Sequence, residues 1–181
     1  MKELEQELIK KAQKGEKQAF AALYDTYVEA IYRFIYLKIG RKADAEDITQ
    51  QVFLNAWQNI QRYNYKGFPF SSWLYKIAHN AVIDFYRSYN NQAKIELESA
   101  EEIIQENGPN QEQEIDSNLD LERIKKAIQQ LPPDQQSIII MRFVDDLPIK
   151  EIARILEKNE GTIRVIQHRA LKQIRKICSL K

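Results

Sequence analysis

Cysteine is almost absent: Cys178 is the single thiol in 181 residues. It has no internal disulfide partner, so nothing points to an oxidising compartment. Histidine is nearly as scarce, and His79, His168 and Cys178 together argue against a structural zinc site. Five glycines and five prolines are too few to turn the strands of a β-sandwich. The longest aliphatic run, Ile138-Ile139-Ile140-Met141, falls far short of the roughly 20 apolar residues that span a bilayer. The first residues, Met1-Lys2-Glu3-Leu4-Glu5, are acidic and periodic where a signal peptide has its apolar core. What is present, 44% hydrophobic and 29% charged residues, is a globular balance. These exclusions predict a soluble, cytoplasmic, all-α protein without membrane insertion.

The net charge of +1 conceals a segregation of sign. Residues 1–90 hold 13 basic and 10 acidic side chains, and residues 121–181 hold 13 basic and 7 acidic. Between them, residues 91–120 hold Lys94 against nine carboxylates, a net of −8. That stretch also contains the turn-forming Asn107-Gly108-Pro109-Asn110. A like-charged, aromatic-poor segment buries too little surface to offset its ordering entropy. The expected organisation is therefore two small helical domains, 1–90 and 121–181, joined by an acidic flexible linker, 91–120. An acidic surface helix over 95–105 is the alternative for its first part.

In the first unit, Leu4, Leu8, Ile9 and Ala12 mark a short helix capped at Gly15. A wide apolar stripe from Ala19 to Ile39 follows, stopped by Gly40. Asp44 and Asp47 form a carboxylate variant of the capping box for a third helix. That helix has Ile48, Val52, Phe53, Ala56, Trp57 and Ile60 on one face. Asp47, Gln50, Gln51, Leu54 and Asn55 lie mainly on the other. A fourth helix, with Ser71 as its cap, buries Trp73, Leu74, Ile77, Ala78, Ala81, Val82 and Phe85. Before it runs a loop dense in rings, Tyr63, Tyr65, Phe68 and Phe70, interleaved with Arg62, Asn64 and Lys66. Rings beside cations suit single-stranded nucleic acid, because bases stack on the rings while cations hold phosphates. Phe68 and Phe70 also fit as plugs for the end of the bundle. The polar side of the fourth helix offers Tyr75, Lys76, His79, Asn80, Ile83, Asp84 and Arg87, either as a solvated face or as contacts to a DNA strand.

The second unit reads as four short helices: one ending at Leu131-Pro132-Pro133, one opening near Asp134, one opening at Leu147-Pro148 and one after the turn 157–161. The last two, joined by a tight turn, describe a helix-turn-helix. Residues 150–181 carry nine cations against Glu151, Glu157 and Glu160, a surplus of positive charge suited to phosphates. A basic helical hairpin that binds protein is the competing interpretation.

Three segments carry a family resemblance. Asp44-Ala45-Glu46-Asp47-Ile48-Thr49-Gln50-Gln51-Val52-Phe53-Leu54-Asn55-Ala56-Trp57 resembles the core-polymerase-binding helix of bacterial sigma factors. Phe70-Ser71-Ser72-Trp73-Leu74-Tyr75-Lys76-Ile77-Ala78-His79-Asn80 and Asp84-Phe85-Tyr86-Arg87 are similar to their promoter-melting helix. Leu131-Pro132, Glu151-Ile152-Ala153, Glu160-Gly161-Thr162 and His168-Arg169-Ala170 resemble their −35-reading helix-turn-helix. With two folded units and an acidic tether, the chain most resembles the extracytoplasmic-function (ECF) type.

The resemblance implies a transcription initiation factor that needs no catalytic residue and no cofactor. Its partners would be core RNA polymerase, promoter DNA and an anti-sigma factor. Polymerase docking falls to Asp44, Asp47, Gln50, Gln51, Leu54 and Asn55. Capture of a flipped −10 base falls to Tyr63, Asn64, Tyr65 and Lys66, with Lys76, Asn80 and Arg87 on the strand or adjoining duplex. The −35 element falls to Glu160, Thr162, Arg164, Gln167, His168, Arg169 and Lys172, with Arg164 foremost for a base edge. His168 fits equally well as a half-buried hydrogen-bonding residue. Two departures from the commoner family pattern stand out: Glu157-Lys158 replaces a Gly–aliphatic turn, and Val165-Ile166 replaces a small residue followed by Arg. A linker of about 30 residues reaches at most roughly 100 Å, enough for the roughly 70 Å of two DNA turns. The alternative function is a helix-turn-helix regulator that never engages polymerase. An enzyme has little support, because phosphate-cradling glycines, a Cys–His pair and a metal-ligand cluster are all missing from the sequence.

Overall fold

A computed structural model describes residues 2–65, 68–99 and 119–179. Among them there are helices and no strands. The helices are α1 (Lys2–Gln13), α2 (Lys17–Ile39), α3 (Lys42–Asn59), α4 (Phe70–Ser99), α5 (Leu119–Gln129), α6 (Pro133–Ile139), α7 (Ile149–Ile155) and α8 (Glu160–Ser179). A 3₁₀ turn, Ile60–Arg62, extends α3, and a π-helical turn, Ile140–Val144, extends α6.

The stops follow from backbone chemistry. Gly15 and Gly40 take the left-handed conformation at φ 90° and 82°, which a side chain would strain. The Gly40 N–H closes α2 on the Tyr36 carbonyl at 2.8 Å. The α5–α6 turn bends at Pro132-Pro133, and the side-chain amide of Gln136 donates to the Leu131 carbonyl (2.9 Å) and the Gln129 carbonyl (3.2 Å). Of these acceptors, the Gln129 carbonyl is the one that Pro133, lacking an N–H, leaves without its helical partner.

Three local expectations change. α3 starts at Lys42, ahead of the expected capping box, so Asp44 lies inside the first turn and pairs with Arg41 at 2.5 Å. Its charge offsets the helix dipole there. Ser71 is likewise inside α4, which begins at Phe70. Finally, α4 runs to Ser99, through residues 91–99 of the stretch read as a tether. Residues 100–118, the remainder of that acidic segment apart from its last two positions, lie outside the described residues.

The core of the first half sits between α2, α3 and α4. Leu23, Ile31, Phe34 and Ile35 pack with Val52, Phe53 and Ala56, and with Phe70, Leu74, Ala78 and Val82, all buried. Each such large side chain contributes about 1.5–3 kcal/mol on burial. Trp57 is half-buried, its ring 4.9 Å from Phe20. The apolar cluster continues without a break into the second half, through Ile128, Leu131, Ile138–Met141, Ile152 and Ile163. The two halves are packed against each other, with α2 against α5 and α6, and α4 against α7.

Polar side chains bind the halves across this contact. The Arg33 guanidinium donates to Asp145 at 2.6 and 3.0 Å. Lys38 is 2% exposed and its amine donates to Ser137 Oγ at 2.7 Å. His79 Nδ1 lies 3.2 Å from the same hydroxyl. Ser72 donates to Glu151 at 2.7 Å, and Lys76 pairs with Glu157. Burial pushes the Lys38 amine down to about 8, partly opposed by the Asp134 charge. Burial, then the neighbouring Lys38 charge, pushes His79 down to about 4. Burial also raises the Asp145 carboxyl, outweighing the bonds from Arg33 and Tyr75.

Candidate nucleic-acid and polymerase interfaces

On α3 the sequence alternates faces as its period requires. Ala45, Thr49, Val52, Phe53 and Ala56 are buried, and the Thr49 hydroxyl donates back to the Ala45 carbonyl at 2.6 Å. Opposite them Asp47, Gln50, Gln51, Leu54 and Asn55 are exposed, with Asp44 half-buried at the helix start. Leu54 stands 55% exposed among amides, an apolar side chain left largely uncovered among the described residues.

The loop before α4 divides its rings between two uses. Tyr63 is 7% exposed, with its ring centroid 5.3 Å from Phe70 and 5.2 Å from Trp73. Its hydroxyl donates to the Phe68 carbonyl at 2.8 Å. Expected as a base-stacking residue, Tyr63 is instead part of the core, because Phe70 and Trp73 enclose its ring. Phe70 is buried and Phe68 half-buried, as plugs of the bundle end. Tyr65, by contrast, is 49% exposed beside exposed Asn64. The base of this loop is anchored by Gln13, whose amide donates to the Ile60 carbonyl (3.0 Å) and the Tyr63 carbonyl (2.8 Å). Lys66 lies outside the described residues.

Part of the polar face of α4 departs from both interpretations offered for it. Tyr75 and His79 are buried, Tyr75 edge-on to Phe34 and bonded to Asp145, and His79 against Ser137, and burial raises the Tyr75 phenol. Asn80 and Arg87 remain exposed, Arg87 beside Asp84 at 3.3 Å. Lys76 is partly covered by Glu157. The sequence held one signal of this docking. Lys38 falls on the α2 stripe one turn after Phe34, a cation where the period demands an apolar residue.

In the helix-turn-helix, α7 ends in a tight reversal. Leu156 N–H donates to Ile152 O at 3.0 Å and Lys158 N–H to Ala153 O at 2.8 Å, with Glu157 left-handed at φ 54° between them. Asn159 then caps α8, its side-chain oxygen accepting from the Thr162 N–H (2.7 Å) and hydroxyl (2.9 Å). Ile163 and Ala170 anchor α8 in the core, and Gln167 is half-buried. Arg164, His168, Arg169 and Lys172 are exposed along the other side, and Arg164 rests on Glu160 at 3.1 Å. His168 is thus a surface residue. Val165, not expected as a contact, is 50% exposed in the same cationic surface. Its departure from the family pattern was the available signal.

Comparison with known proteins places the chain in a family. Residues 23–92 match Sigma-70 region 2, and residues 121–174 match Sigma-70 region 4. The ECF RNA polymerase sigma factor BldN of Streptomyces coelicolor is 37% identical over 174 residues; the match takes in 94% of this chain and 64% of BldN, just under two thirds of that relative. The ECF RNA polymerase sigma factor SigW of Bacillus subtilis is 31% identical over 176 residues, 93% of each chain. The chain belongs to the ECF RNA polymerase sigma factors. This ECF sigma factor has the fold of CnrH in complex with the cytosolic domain of CnrY, at a TM-score of 0.73 and 19% identity, over 97% of both chains. It also has the fold of the sigma factor RpoE of Bartonella quintana in complex with the anti-sigma factor NepR, at 0.69 and 23%, over 90% of this chain and 98% of RpoE. Among its described residues, no helix is long and apolar enough to cross a membrane.

Proposed function

We propose that the chain directs core RNA polymerase to a set of promoters in the cytoplasm and nucleates their opening, without catalysing a reaction itself. The observation that carries this is the coexistence of two unlike exposed surfaces on one chain. One is the amide-and-leucine face of α3, and the other is the cationic face of α8. A regulator that never engages polymerase has use for the second and none for the first, and membership of the ECF family favours the polymerase reading. Residues 1–90 would hold polymerase and the −10 element, residues 121–181 the −35 element, and 91–120 the connection between them.

Gln50, Gln51, Leu54, Asn55, Asp44 and Asp47 would dock on polymerase. Tyr65 and Asn64, with Lys66, would take a flipped base, a stacked base being worth about 1–3 kcal/mol. Opening duplex costs about 1.4 kcal/mol per step, so a few such contacts nucleate a bubble that polymerase then holds. Lys76, Asn80 and Arg87 would grip the backbone. Thr162, Arg164, Gln167 and His168 would face bases in the major groove, with Arg169 and Lys172 on phosphates. CnrH is seen with the cytosolic domain of CnrY and RpoE with the anti-sigma factor NepR, and we extend an anti-sigma partner to this chain. The test is binding of core polymerase by wild type and by Leu54→Asp. Wild type should bind, and a carboxylate in the centre of the docking face should weaken it at least tenfold without changing the melting temperature. Equal binding by both, or by neither, would overturn the assignment.

A further inference from the structure

Residues 1–22 lie outside both spans matched to the family, yet α1 reaches the ring-rich loop before α4. Glu5, Ile9 and Gln13 recur every four residues and so share one face of α1. Ile9 and Ala12 are buried where α1 packs on α2, which fixes the helix in place. Burial, then the Glu5 charge, raises both the Tyr27 and the Tyr63 phenols, so Glu5 stands beside the ring cluster. Gln13, the last residue of α1, donates twice from its amide nitrogen, to the Ile60 carbonyl at 3.0 Å and the Tyr63 carbonyl at 2.8 Å. Both hydrogens of that primary amide are thereby placed. The Tyr63 N–H closes the same 3₁₀ turn on the Ile60 carbonyl at 3.0 Å. Tyr63 leaves the turn extended, at φ −66° and ψ 126°, and its hydroxyl holds the Phe68 carbonyl at 2.8 Å. One residue is thus tied at its carbonyl by α1, at its ring by Phe70 and Trp73, and at its hydroxyl by Phe68. The Tyr63 carbonyl belongs to the rigid peptide plane that joins residue 63 to residue 64. A grip on it sets the direction in which the exposed Asn64 and Tyr65 leave the bundle.

We propose that Gln13 is a positioning residue for strand opening: from α1 it aims Asn64 and Tyr65 at the base to be captured, so that opening, and not promoter binding, depends on it. A ring already held in one place gives up less freedom when a base stacks on it than a ring on a loose loop. This rests on reading Tyr65 and Asn64 as the base-capturing pair.

The experiment uses the full chain on core polymerase and a linear promoter fragment chosen by mapping transcript 5′ ends. It follows closed-complex affinity and permanganate-detected opening. Gln13→Met keeps the length and helix preference of the side chain and removes both donors. It should reduce opening about tenfold, the scale of two net hydrogen bonds, and leave closed-complex affinity within about twofold. Gln6→Met, at an exposed α1 position, should change neither. In a cycle with Tyr65→Ala the losses should not add, since a loop without its ring has nothing left to aim. In the isolated chain, the Tyr63 amide should exchange its hydrogen about fivefold faster in Gln13→Met. Normal opening in Gln13→Met, additive losses in the cycle, or equal losses of closed complex and of opening would overturn the proposal. Unchanged exchange at Tyr63 would overturn it as well. Normal opening in Tyr65→Ala would instead overturn the base-capture reading, while exchange at Tyr63 still decides whether Gln13 holds the loop.

Discussion

Lowering the pH from 8 to 5 should separate the two halves of the chain. His79 is 8% exposed, with Lys38 of α2, Asp134 of α6 and Lys158 of the α7–α8 turn acting on it. Docked, it is held down to about 4 from an ordinary 6.5, so protonation is resisted in the docked state and easy in the separated one. A base depressed in the docked state makes docking strongest above its ordinary value and loses it as pH falls. Between pH 8 and 5 the separated form takes up most of a proton that the docked form refuses. That weakens docking by about 2 kcal/mol, or about thirtyfold. Lys38 acts with the same sign at the alkaline end. Held down to about 8, it is charged in both states at neutral pH and favours docking by about a further tenfold at pH 9. The native Cys178 is exposed on α8 and accepts a fluorophore, with a second at Leu4→Cys, 63% exposed on α1. Energy transfer should fall between pH 7 and 5 and should hold or rise towards pH 9. In His79→Asn the acid step should vanish. Transfer that stays flat in wild type, or an identical acid step in His79→Asn, would refute the reasoning.

Other substitutions separate core from contact. Phe70→Ala removes a ring that is 1% exposed and meets Tyr27, Tyr63 and Trp73, and should cost about 3–5 kcal/mol, read as a lower melting temperature in calorimetry. Tyr65→Ala, at a ring 49% exposed, should shift stability by less than about 0.5 kcal/mol. It should leave closed complexes intact and impair permanganate-detected opening. Arg164→Ala should relax selectivity at one −35 base pair by about 1–3 kcal/mol while leaving polymerase binding unchanged, measured on a promoter library.

The helices and their faces were legible because each is a local pattern. The stripe of α2 and its stop at Gly40, the two sides of α3, and the helix-turn-helix with its cations all follow from spacing and capping within a few residues. Docking was not legible in the same way. Arg33 and Asp145 are 112 positions apart, and Lys38 and Ser137 are 99 apart. No periodicity links them, so Tyr75 and His79 read as a polar face when they are buried. The neighbours of Tyr63 in sequence are all consistent with a nucleic-acid loop, whereas its neighbours in space are Phe70 and Trp73. The π-helical turn at Ile140–Val144, which directly precedes the contact residue Asp145, also left no mark in the sequence. The capping box at Asp44 was displaced by a stronger local fact, the helix already begun at Lys42.

Transcription by purified core polymerase from sheared genomic DNA, with and without the protein and followed by sequencing of transcript 5′ ends, goes furthest. Added protein should create a discrete set of start sites that share two sequence blocks, one near −10 and one about two helical turns upstream. Core polymerase that is active on tailed templates yet gains no start site from the protein would contradict the account.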